Sequence, residues 1–415
     1  MPPSPDNRPV RVERDALGTL AIPADALYGI QTARACTNLS FSAHRLGACP
    51  PCVRAFGAVK RAVTRANGAA DVIDARVAAA IEAATAPLLA GELLEHFPAD
   101  LLGGGGAIGV HMNVNEVIAN VANEQLGARR GDYAPVHPLR HVSASQSTAD
   151  VCHTALRLAI LWQWPALERG LQSTADTLQE KAVAFAAVPT LARTCLQDAL
   201  PTSAGLLFQG HRALVRRRTD ELARAVDTLH AVPLGGTVIG TGEGAPPRYR
   251  ERVIPLLNEV TGMSFVPRAE LPDALQNGDD LRAVSAQLAM LAEALIKIAQ
   301  DLRLLGSGPH GGFGEIILPY VQQGSSFFSD KRNPVVPETV LNCAFQVLGC
   351  ERAVQAALQQ AELQLNVFDT FVAVNVLDAI DMLTNAVDRF ETHCLRGLEV
   401  DAARCRELAE LGQRR

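Results

Sequence analysis

Residues 281–302 read LRAVSAQLAMLAEALIKIAQDL. Large apolar side chains recur in this stretch at steps that alternate between three and four residues. The set comprises Leu281, Val284, Leu288, Leu291, Leu295, Ile298 and Leu302. Such spacing places the apolar side chains along one side of an α-helix, as in a helix bundle. The stretch therefore predicts a long bundle helix and a mainly α fold.

Similar helical patterns occur on both sides of this stretch. They predict long helices over residues 146–170, 170–187, 203–231, 275–305, 335–362 and 370–395. We therefore predict a central long-helix bundle domain over residues 146–395, preceded by a small, mixed but mostly helical N-terminal domain over residues 1–145. Residues 396–415 are predicted to be a truncated C-terminal remnant.

The N-terminal part is predicted in coarser terms. Residues 1–10 are rich in proline and are predicted to be mobile. Residues 11–45 are short and strand-like with turns, and helical periodicity recurs from about residue 53 to about residue 100. A further helix is predicted from about Asn115 to Gln125.

The composition limits where in the cell the protein is expected and which partners it is expected to bind. A net charge of −6 argues against non-specific nucleic-acid binding. We find no apolar run with the length of a membrane span and no apolar signal core at the N-terminus. The sequence therefore predicts a cytoplasmic protein without membrane or nucleic-acid partners.

The nine cysteines and the histidines predict neither a metal nor a cofactor. An odd number of cysteines, mostly in helical patterns, predicts reduced thiols. Cys49 and Cys52 form a CxxC, but no βαβ context or second ligand pair accompanies it, so we predict a plain loop before a helix that starts near Val53. No HExxH-like spacing occurs either.

Residues 324–333 carry the strongest chemical signal and read GSSFFSDKRN. A glycine precedes two hydroxyls, Ser325 and Ser326, and a lysine and an asparagine follow as Lys331 and Asn333. The predicted helix that begins after Pro334 provides free backbone N–H groups and a positive dipole end. This setting stabilises an anion, either a substrate carboxylate or a serine alkoxide. The alternative is a loop that only caps the helix.

This segment resembles the signature of the fumarase/aspartase superfamily, Gly-Ser-Ser-x-Met-Pro-x-Lys-x-Asn, with Phe328 and Ser329 at its Met and Pro positions. Other segments resemble family regions in the same order along the chain. They are Arg11–Asp15 with Ile22–Thr32, Asn113–Asn120, Gln146–Asp150, Arg193–Ala199 and Leu302–Pro309. The similarity runs from about Arg11 to about Glu410 and is nearest to aspartases.

The resemblance implies a fumarase/aspartase-like fold, a homotetramer whose sites are shared between subunits, and a C-terminal domain that is largely absent here. It also implies a lyase that performs anti elimination on a small dicarboxylate and gives fumarate or a fumarate-like product.

The resemblance further implies roles for individual residues. Ser325 matches the catalytic base and Ser326 a donor to the reacting carboxylate, while Lys331 and Asn333 match the clamp on the other carboxylate. The remaining implied site residues bind substrate. They are Ser147 and Thr148, a hydroxyl pair from another subunit that could instead be a helix N-cap pair, Thr194 and Cys195 near the leaving group, Asn115 in the first conserved region, and Glu338.

Several positions depart from the family pattern. Ala149 and Cys195 replace an asparagine and a histidine around the leaving group. Ile108, His111 and Gly244 replace a threonine and two asparagines. We predict a larger and less polar pocket on the leaving-group side. Without the histidine, Glu338 is a stranded carboxylate, an acid, or a partner of His111 or of His153, which replaces a family proline.

Three functions remain open from the sequence. The first is a carbon–nitrogen lyase with an altered leaving group, such as an N-substituted aspartate or another 2-substituted succinate. The second is a plain aspartate ammonia-lyase, and the third is a non-catalytic homologue that binds a carboxylate. Hydration of the fumarase type is disfavoured because the histidine–glutamate pair is broken.

Overall fold

The computed structural model describes residues 9–413, and the fold over this range is mainly helical, as predicted. The α-helices are α1 (Ile30–Asn38), α2 (Pro50–Ala69), α3 (Ala75–Ala84), α4 (Ala86–Ala90), α5 (Ile108–Gln125), α6 (Thr148–Ala184), α7 (Ala204–Asp227), α8 (Pro247–Thr261), α9 (Leu271–Gln276), α10 (Asp279–Leu305), α11 (Val335–Leu358), α12 (Asp369–Phe390) and α13 (Ala402–Gln413). Two π-helical turns span Pro138–Val142 and Glu391–Leu395.

The strands are short and form four two-stranded sheets. They are β1 (Val10–Asp15), β2 (Gly18–Pro23), β3 (Pro189–Thr194), β4 (Gln197–Ser203), β5 (Ala231–Val232), β6 (Val266–Pro267), β7 (Ile316–Ile317) and β8 (Glu399–Val400). Three pairs are antiparallel, β1–β2, β3–β4 and β7–β8, whereas β5 and β6 run parallel. The strands thus form four small sheets in a mainly helical protein.

The chain packs as two compact units, each made of discontinuous segments. The first unit contains residues up to Trp162, Thr228–Arg282 and Val354–Asn375. The second unit contains Gln163–Asp227, Ala283–Ala353 and Val376–Arg415. The three-part division made from the sequence follows other boundaries and stays a prediction. The predicted mobility of the first ten residues falls mostly outside the described residues.

The helix α10 confirms the prediction made from its apolar periodicity. All seven of its periodic side chains are buried, with at most 1% of their surface exposed. Helices α7, α11 and α12 also lie close to their predicted ranges. However, residues 148–184 form one helix, where two helices meeting at residue 170 were predicted, and Pro165 lies inside it.

The expectation that no apolar run has the length of a membrane span is wrong for the helix α12. Together with the π-helical turn that follows, Asp369–Leu395 is long and apolar enough to cross a membrane, by length and composition alone. In its most apolar window, 61% is buried inside the protein, which is the behaviour of a core helix. Within residues 9–413 no other helix meets the same criteria.

In the first unit, α2 is a central core helix. Pro50 and Pro51 lie in its first turn, where a missing N–H costs nothing. Thirteen of its twenty residues are buried, and it packs against α8, α3 and α4. The prediction of reduced thiols is wrong for Cys49 and Cys52, which form a disulfide at the start of this helix. Two cysteines three residues apart meet there because the helix begins at Pro50 instead of near Val53.

The sequence did not predict α1. Its start is held from a distance, because the buried carboxylate of Glu116 on α5 accepts N–H bonds from Gly29, Gln31 and Thr32 and the Thr32 hydroxyl bond. A negative carboxylate at the N-terminus of a helix is also stabilised by the helix dipole. The segment before it does form the predicted strands, with β1 and β2 paired from Val10 opposite Pro23 to Asp15 opposite Gly18.

A buried charge cluster also lies in the first unit. The Arg157 guanidinium forms two bonds with Asp280, at 2.8 and 2.9 Å, and contacts Asp369 at 3.3 Å. All three side chains are at most 5% exposed. Burial alone would raise the pKa of Asp280, but Arg157 outweighs it and holds that pKa below its usual value. The cluster ties α6 to the starts of α10 and α12 within this unit.

Candidate active site

The loop of residues 324–333 lies in the second unit and presents Ser325 to two backbone donors. The Oγ of Ser325 accepts N–H bonds from Phe327 at 3.1 Å and from Phe328 at 3.0 Å. Two N–H groups aimed at one oxygen stabilise negative charge on it. The arrangement is therefore suited to hold a serine alkoxide. The sequence suggested loop N–H groups in general, and the structure identifies these two.

The same loop is closed tightly around Gly324. A Cβ atom built on this glycine would lie 2.2 Å from the Lys331 carbonyl oxygen and 2.7 Å from the Asn333 nitrogen. The Asn333 amide donates to the Gly324 carbonyl at 2.6 Å, and Gln323 donates to the Ser325 carbonyl at 3.0 Å. Asn333 therefore holds the loop together, and its role in clamping a carboxylate stays a prediction.

Beside this loop lies a cleft of about 800 Å³. Its lining includes Phe327, Phe328, Lys331 and Asn333, together with residues of the Gly306–Pro309 segment. Ser326 and Lys331 are exposed, so their hydroxyl and ammonium groups are accessible to a bound anion. The Arg332 guanidinium stacks over the Tyr320 ring at 5.3 Å. The cleft can thus admit a small acid next to the Lys331 ammonium.

Thr194 and Cys195 lie at the tip of the β3–β4 hairpin, also in the second unit. Thr194 pairs with Gln197, which leaves Cys195 and Leu196 as a two-residue turn. Their φ angles are 54° and 60°, so both residues adopt the left-handed conformation of a type I′ turn. Both are exposed, and Leu196 has 66% of its surface accessible.

Glu338 has a partner that the sequence did not suggest. Its carboxylate lies 3.2 Å from the Arg303 guanidinium of α10. His111 and His153 instead contact residues of the first unit. His111 lies beside Lys60 and Thr148. His153 Nδ1 lies 3.1 Å from Asp369 without hydrogen-bond geometry. Burial lowers the pKa of His153. The expectations of a stranded Glu338, or of one paired with a histidine, are therefore wrong.

Ser147 and Thr148 lie at the start of α6 in the first unit. The Oγ of Ser147 accepts the Ala149 N–H at 3.2 Å, so this hydroxyl does contribute to capping the helix. The Asp150 carboxylate accepts N–H bonds from Ser147, Gly235 and Thr237. Burial raises the pKa of Asp150 to about 6, although these bonds and Lys60 act in the opposite direction.

The Thr148 hydroxyl lies next to His111, which forms a buried pair with Lys60. The sequence pointed to His111 but not to Lys60. His111 Nδ1 lies 2.9 Å from Thr148 Oγ1, and His111 Nε2 lies 2.7 Å from Lys60 Nζ. Lys60 also donates to Gln146 Oε1 at 2.7 Å and to the Val142 carbonyl at 3.4 Å. Lys60 was missed from the sequence, and the signal that could have revealed it is a lysine between Val59 and Ala62 on the apolar side of α2.

Burial controls the protonation of this pair. Lys60 is 0% exposed and His111 2% exposed. Burial lowers the pKa of Lys60 to about 7, while Cys152 and Asp150 nearby act to raise it. Burial lowers the pKa of His111 well below its usual value, and the Lys60 charge lowers it further. His111 is therefore a neutral imidazole at neutral pH.

Three other positions from the sequence lie in the first unit. Asn115 is fully buried on α5, and its Nδ2 lies 3.9 Å from Met112 Sδ, so its substrate-binding role stays a prediction. Ile108 begins α5 and is 45% exposed. Gly244 lies in a turn with φ of 81°. Among residues 9–413, no group of three or more His, Cys, Asp or Glu side chains is arranged to hold a metal ion.

The predicted site residues therefore fall into two groups, one in each unit. Ser325, Ser326, Lys331, Asn333, Glu338, Thr194 and Cys195 belong to the second unit, and Ser147, Thr148 and Asn115 belong to the first. The group in the second unit combines hydroxyl groups, the Lys331 ammonium and the N–H donors of the Ser325 loop, and the group in the first unit presents two hydroxyls at the start of α6. This chemistry suits a substrate that carries carboxylates.

Comparisons with known proteins show the family to which this chain belongs. Residues 18–349 match a family model described as Lyase. Aspartate ammonia-lyase of Pseudomonas fluorescens is 41% identical, over 96% of this chain and 84% of that protein.

Solved structures give the same result. The cobalt-bound crystal structure of fumarate lyase:delta crystallin from Brucella melitensis superposes with a TM-score of 0.94 and is 40% identical, covering 97% of this chain and 87% of that one. Class II fumarase from Schistosoma mansoni has a TM-score of 0.93 and 28% identity, covering 96% and 87%. The chain therefore belongs to the Lyase family within the fumarase/aspartase superfamily and is a lyase of the carbon–nitrogen type.

Proposed function

We propose that this enzyme removes an amine or a related group by anti elimination from an aspartate-like or 2-substituted succinate, giving fumarate or a fumarate-like product. The observation that carries the proposal is the pair of N–H bonds from Phe327 and Phe328 to the Ser325 oxygen. Serine is a weak base unless its anion is stabilised, and these donors, with the Lys331 cation in the same loop, supply that stabilisation.

The proposed reaction has two steps. The Ser325 alkoxide takes the Cβ proton beside one carboxylate, and the electron pair moves into that carboxylate to form a dianionic aci-carboxylate. The pair then returns to form the Cα–Cβ double bond, and the Cα–N bond breaks with its electrons on nitrogen. An ammonium substituent leaves as a neutral amine, and the proton remains on Ser325. Hydroxyl donors such as Ser326 and Thr148 stabilise the intermediate.

The altered positions support a leaving group other than ammonium. Ala149 is 7% exposed and offers only a methyl group. Cys195, at the exposed hairpin tip, has a weakly polar thiol where the family has an imidazole. An ammonium placed there lacks partners, at a cost of roughly 1–3 kcal/mol for each unmet contact. A bulkier or less polar substituent avoids this cost.

We also propose that the enzyme is a homotetramer whose sites are shared between subunits. The hairpin tip that carries Cys195, and the Phe327 and Phe328 side chains at 85% and 60% exposure, leave site residues and apolar surface uncovered in a single chain. A neighbouring subunit would cover them and bring Ser147 and Thr148 to the loop. We place the enzyme in the cytoplasm, where small dicarboxylates occur.

A substrate panel tests the proposal directly. Ultraviolet absorption would detect fumarate released from L-aspartate, from N-substituted aspartates and from other 2-substituted succinates. We expect turnover of at least one substituted compound at a rate well above that of L-aspartate. Absence of turnover across the panel, by a protein shown to be folded, would favour a non-catalytic homologue.

A plain aspartate ammonia-lyase is the second candidate, because relatives of this name are about 40% identical over nearly the whole chain. If L-aspartate is turned over faster than every substituted compound, this candidate replaces the altered leaving group. Retention of the Ser325 loop argues against the non-catalytic alternative, since a binding protein has no need for a stabilised alkoxide.

Restoring the two family residues should raise activity on L-aspartate. In an Ala149→Asn, Cys195→His double variant, new donors and acceptors would meet the ammonium, and we expect kcat/KM to rise by roughly tenfold to a hundredfold. Histidine tolerates the left-handed conformation at residue 195 better than most residues. Ser329→Ala, made in the catalytic loop, is the control, and an unchanged L-aspartate rate in the double variant would contradict the assignment of these positions.

Gly324→Ala should damage the loop without touching a reactive group. Because the new Cβ would overlap the Lys331 carbonyl, the loop must open and the two N–H donors would move away from Ser325. Misplacement of this size costs about a hundredfold in kcat. The matched control is Gly311→Ala, where a Cβ meets nothing within 4 Å. Equal rates for both variants would show that the loop closure does not matter.

A further inference from the structure

We propose that Lys60 and His111 are positioning residues that fix the Thr148 hydroxyl as a hydrogen-bond donor to a substrate carboxylate. This inference rests on the proposed function for the identity of the anion. It assigns a role to a buried lysine that the sequence signature does not include. It also gives a purpose to His111, one of the positions at which the sequence departs from the family pattern.

The first step is the set of partners around Lys60. Its ammonium has three N–H donors, and three acceptors surround it: His111 Nε2, Gln146 Oε1 and the Val142 carbonyl. The Gln146 amide nitrogen donates to the Val142 and Ala144 carbonyls, which fixes its oxygen toward Lys60. A charged Lys60 is therefore fully satisfied only if His111 Nε2 accepts.

The second step follows from the chemistry of a neutral imidazole. One ring nitrogen accepts and the other donates, so acceptance at Nε2 places the proton on Nδ1. His111 Nδ1 then donates to Thr148 Oγ1, 2.9 Å away. With its oxygen already accepting, Thr148 keeps its own hydroxyl proton for an outside acceptor. Thr148 is partly exposed at the start of α6, whereas Lys60 and His111 are buried.

The third step is the effect of pH. Below about pH 7 the Lys60 ammonium is present and can only donate. The direction of each hydrogen bond from Lys60 through His111 to Thr148 is therefore fixed. Above that pH a neutral amine can accept from Nε2, which lets Nδ1 accept the Thr148 proton and turns the hydroxyl away from the substrate. The charge that attracts a carboxylate is lost at the same time.

Other groups near Lys60 define the controls. Asp150 and Cys152 face it from α6, His111 faces it from α5, and Tyr249 of α8 lies near Asp150. Burial holds the pKa values of Cys152 and Tyr249 above their usual ranges, so neither titrates near neutrality. Asp150, with a pKa raised to about 6, is the group whose titration must be separated from that of Lys60.

Calorimetric binding of fumarate, from pH 6 to pH 9, tests the inference on the intact protein. Fumarate stays a dianion throughout this range. We expect the wild-type affinity to fall roughly tenfold as pH rises through about 7. We expect Lys60→Met, His111→Asn and Thr148→Val to bind at every pH about as weakly as wild type does at pH 9. Thr148→Ser, which keeps the hydroxyl, should restore the wild-type profile.

The matched control is His44→Asn, an exposed histidine of the first unit, which should keep the wild-type profile. The inference is overturned if the pH profile persists in Lys60→Met and His111→Asn, since Asp150 would then be the source. It is also overturned if wild type does not bind fumarate, or binds it equally at all pH values.

Binding and turnover separate the two proposals. A pH-dependent affinity in a protein that turns over nothing in the panel supports the positioning role and refutes the elimination. Turnover together with a fumarate affinity that does not change with pH supports the elimination and refutes the positioning role. If Lys60→Met does not fold, His111→Asn and Thr148→Val decide the matter alone.

Discussion

Replacing Ser325 with alanine should lower kcat by about a thousandfold or more while leaving the oligomeric state unchanged. A general base in position contributes roughly a hundredfold to ten-thousandfold, and this serine oxygen is the atom on which the Phe327 and Phe328 N–H groups converge. Its Oγ makes no contact that holds a buried core together. The measurement is the rate of fumarate release from the best compound of the panel, with the oligomeric state determined by size-exclusion chromatography and light scattering.

The control for this variant is Ser329→Ala, which removes a hydroxyl from the same exposed loop. It should retain most of the wild-type rate. Fumarate release by Ser325→Ala within threefold of wild type would show that another group removes the proton. A lost rate together with a dissociated assembly would instead indicate a structural role for the loop.

Replacing Arg157 with methionine should lower the free energy of unfolding by about 3–5 kcal/mol. The substitution leaves the buried carboxylates of Asp280 and Asp369 without their shared cation, and an uncompensated buried charge is costly. Arg268 lies 3.5 Å from Asp280 and retains part of the compensation there. Urea unfolding followed by circular dichroism at a fixed protein concentration measures the change.

Two further variants make this prediction specific. Arg169→Met changes an exposed arginine of the same helix and should alter stability by less than about 0.5 kcal/mol. Adding Asp369→Asn to Arg157→Met should recover part of the loss, because a neutral amide has a smaller desolvation cost than a carboxylate. A loss in the double variant as large as in the single one would mean that packing, not charge, explains the effect.

Long helices were predicted well because their signal is local. In α10, seven apolar side chains repeat with the helical period, and all seven are buried. The helix α1 was missed because it is short and its start depends on Glu116, more than eighty residues away. The single helix α6 was divided in two at residue 170, which is a glycine, yet the helix continues through both Pro165 and Gly170.

The site was predicted unevenly for a similar reason. The Ser325 loop is contiguous, so its hydroxyls, cation and glycine are visible in ten residues. The partners of Glu338 and His111 come from other helices, Arg303 from α10 and Lys60 from α2. Sequence spacing alone does not show which distant groups meet, and the suggested histidine partners of Glu338 were wrong.

By itself, the sequence determined the mainly α fold, the ordered family segments and the reactive loop. Each depends on periodicity or on residues adjacent along the chain, which folding does not rearrange. The folded structure was needed to show that two N–H groups point at Ser325, that Arg157 joins two carboxylates, and that Lys60 lies beside His111. The first fact depends on the backbone conformation of one loop, and the other two require distances between segments that are far apart in the chain. Burial then sets their energies and pKa values, because removal from water changes the stability of each charge.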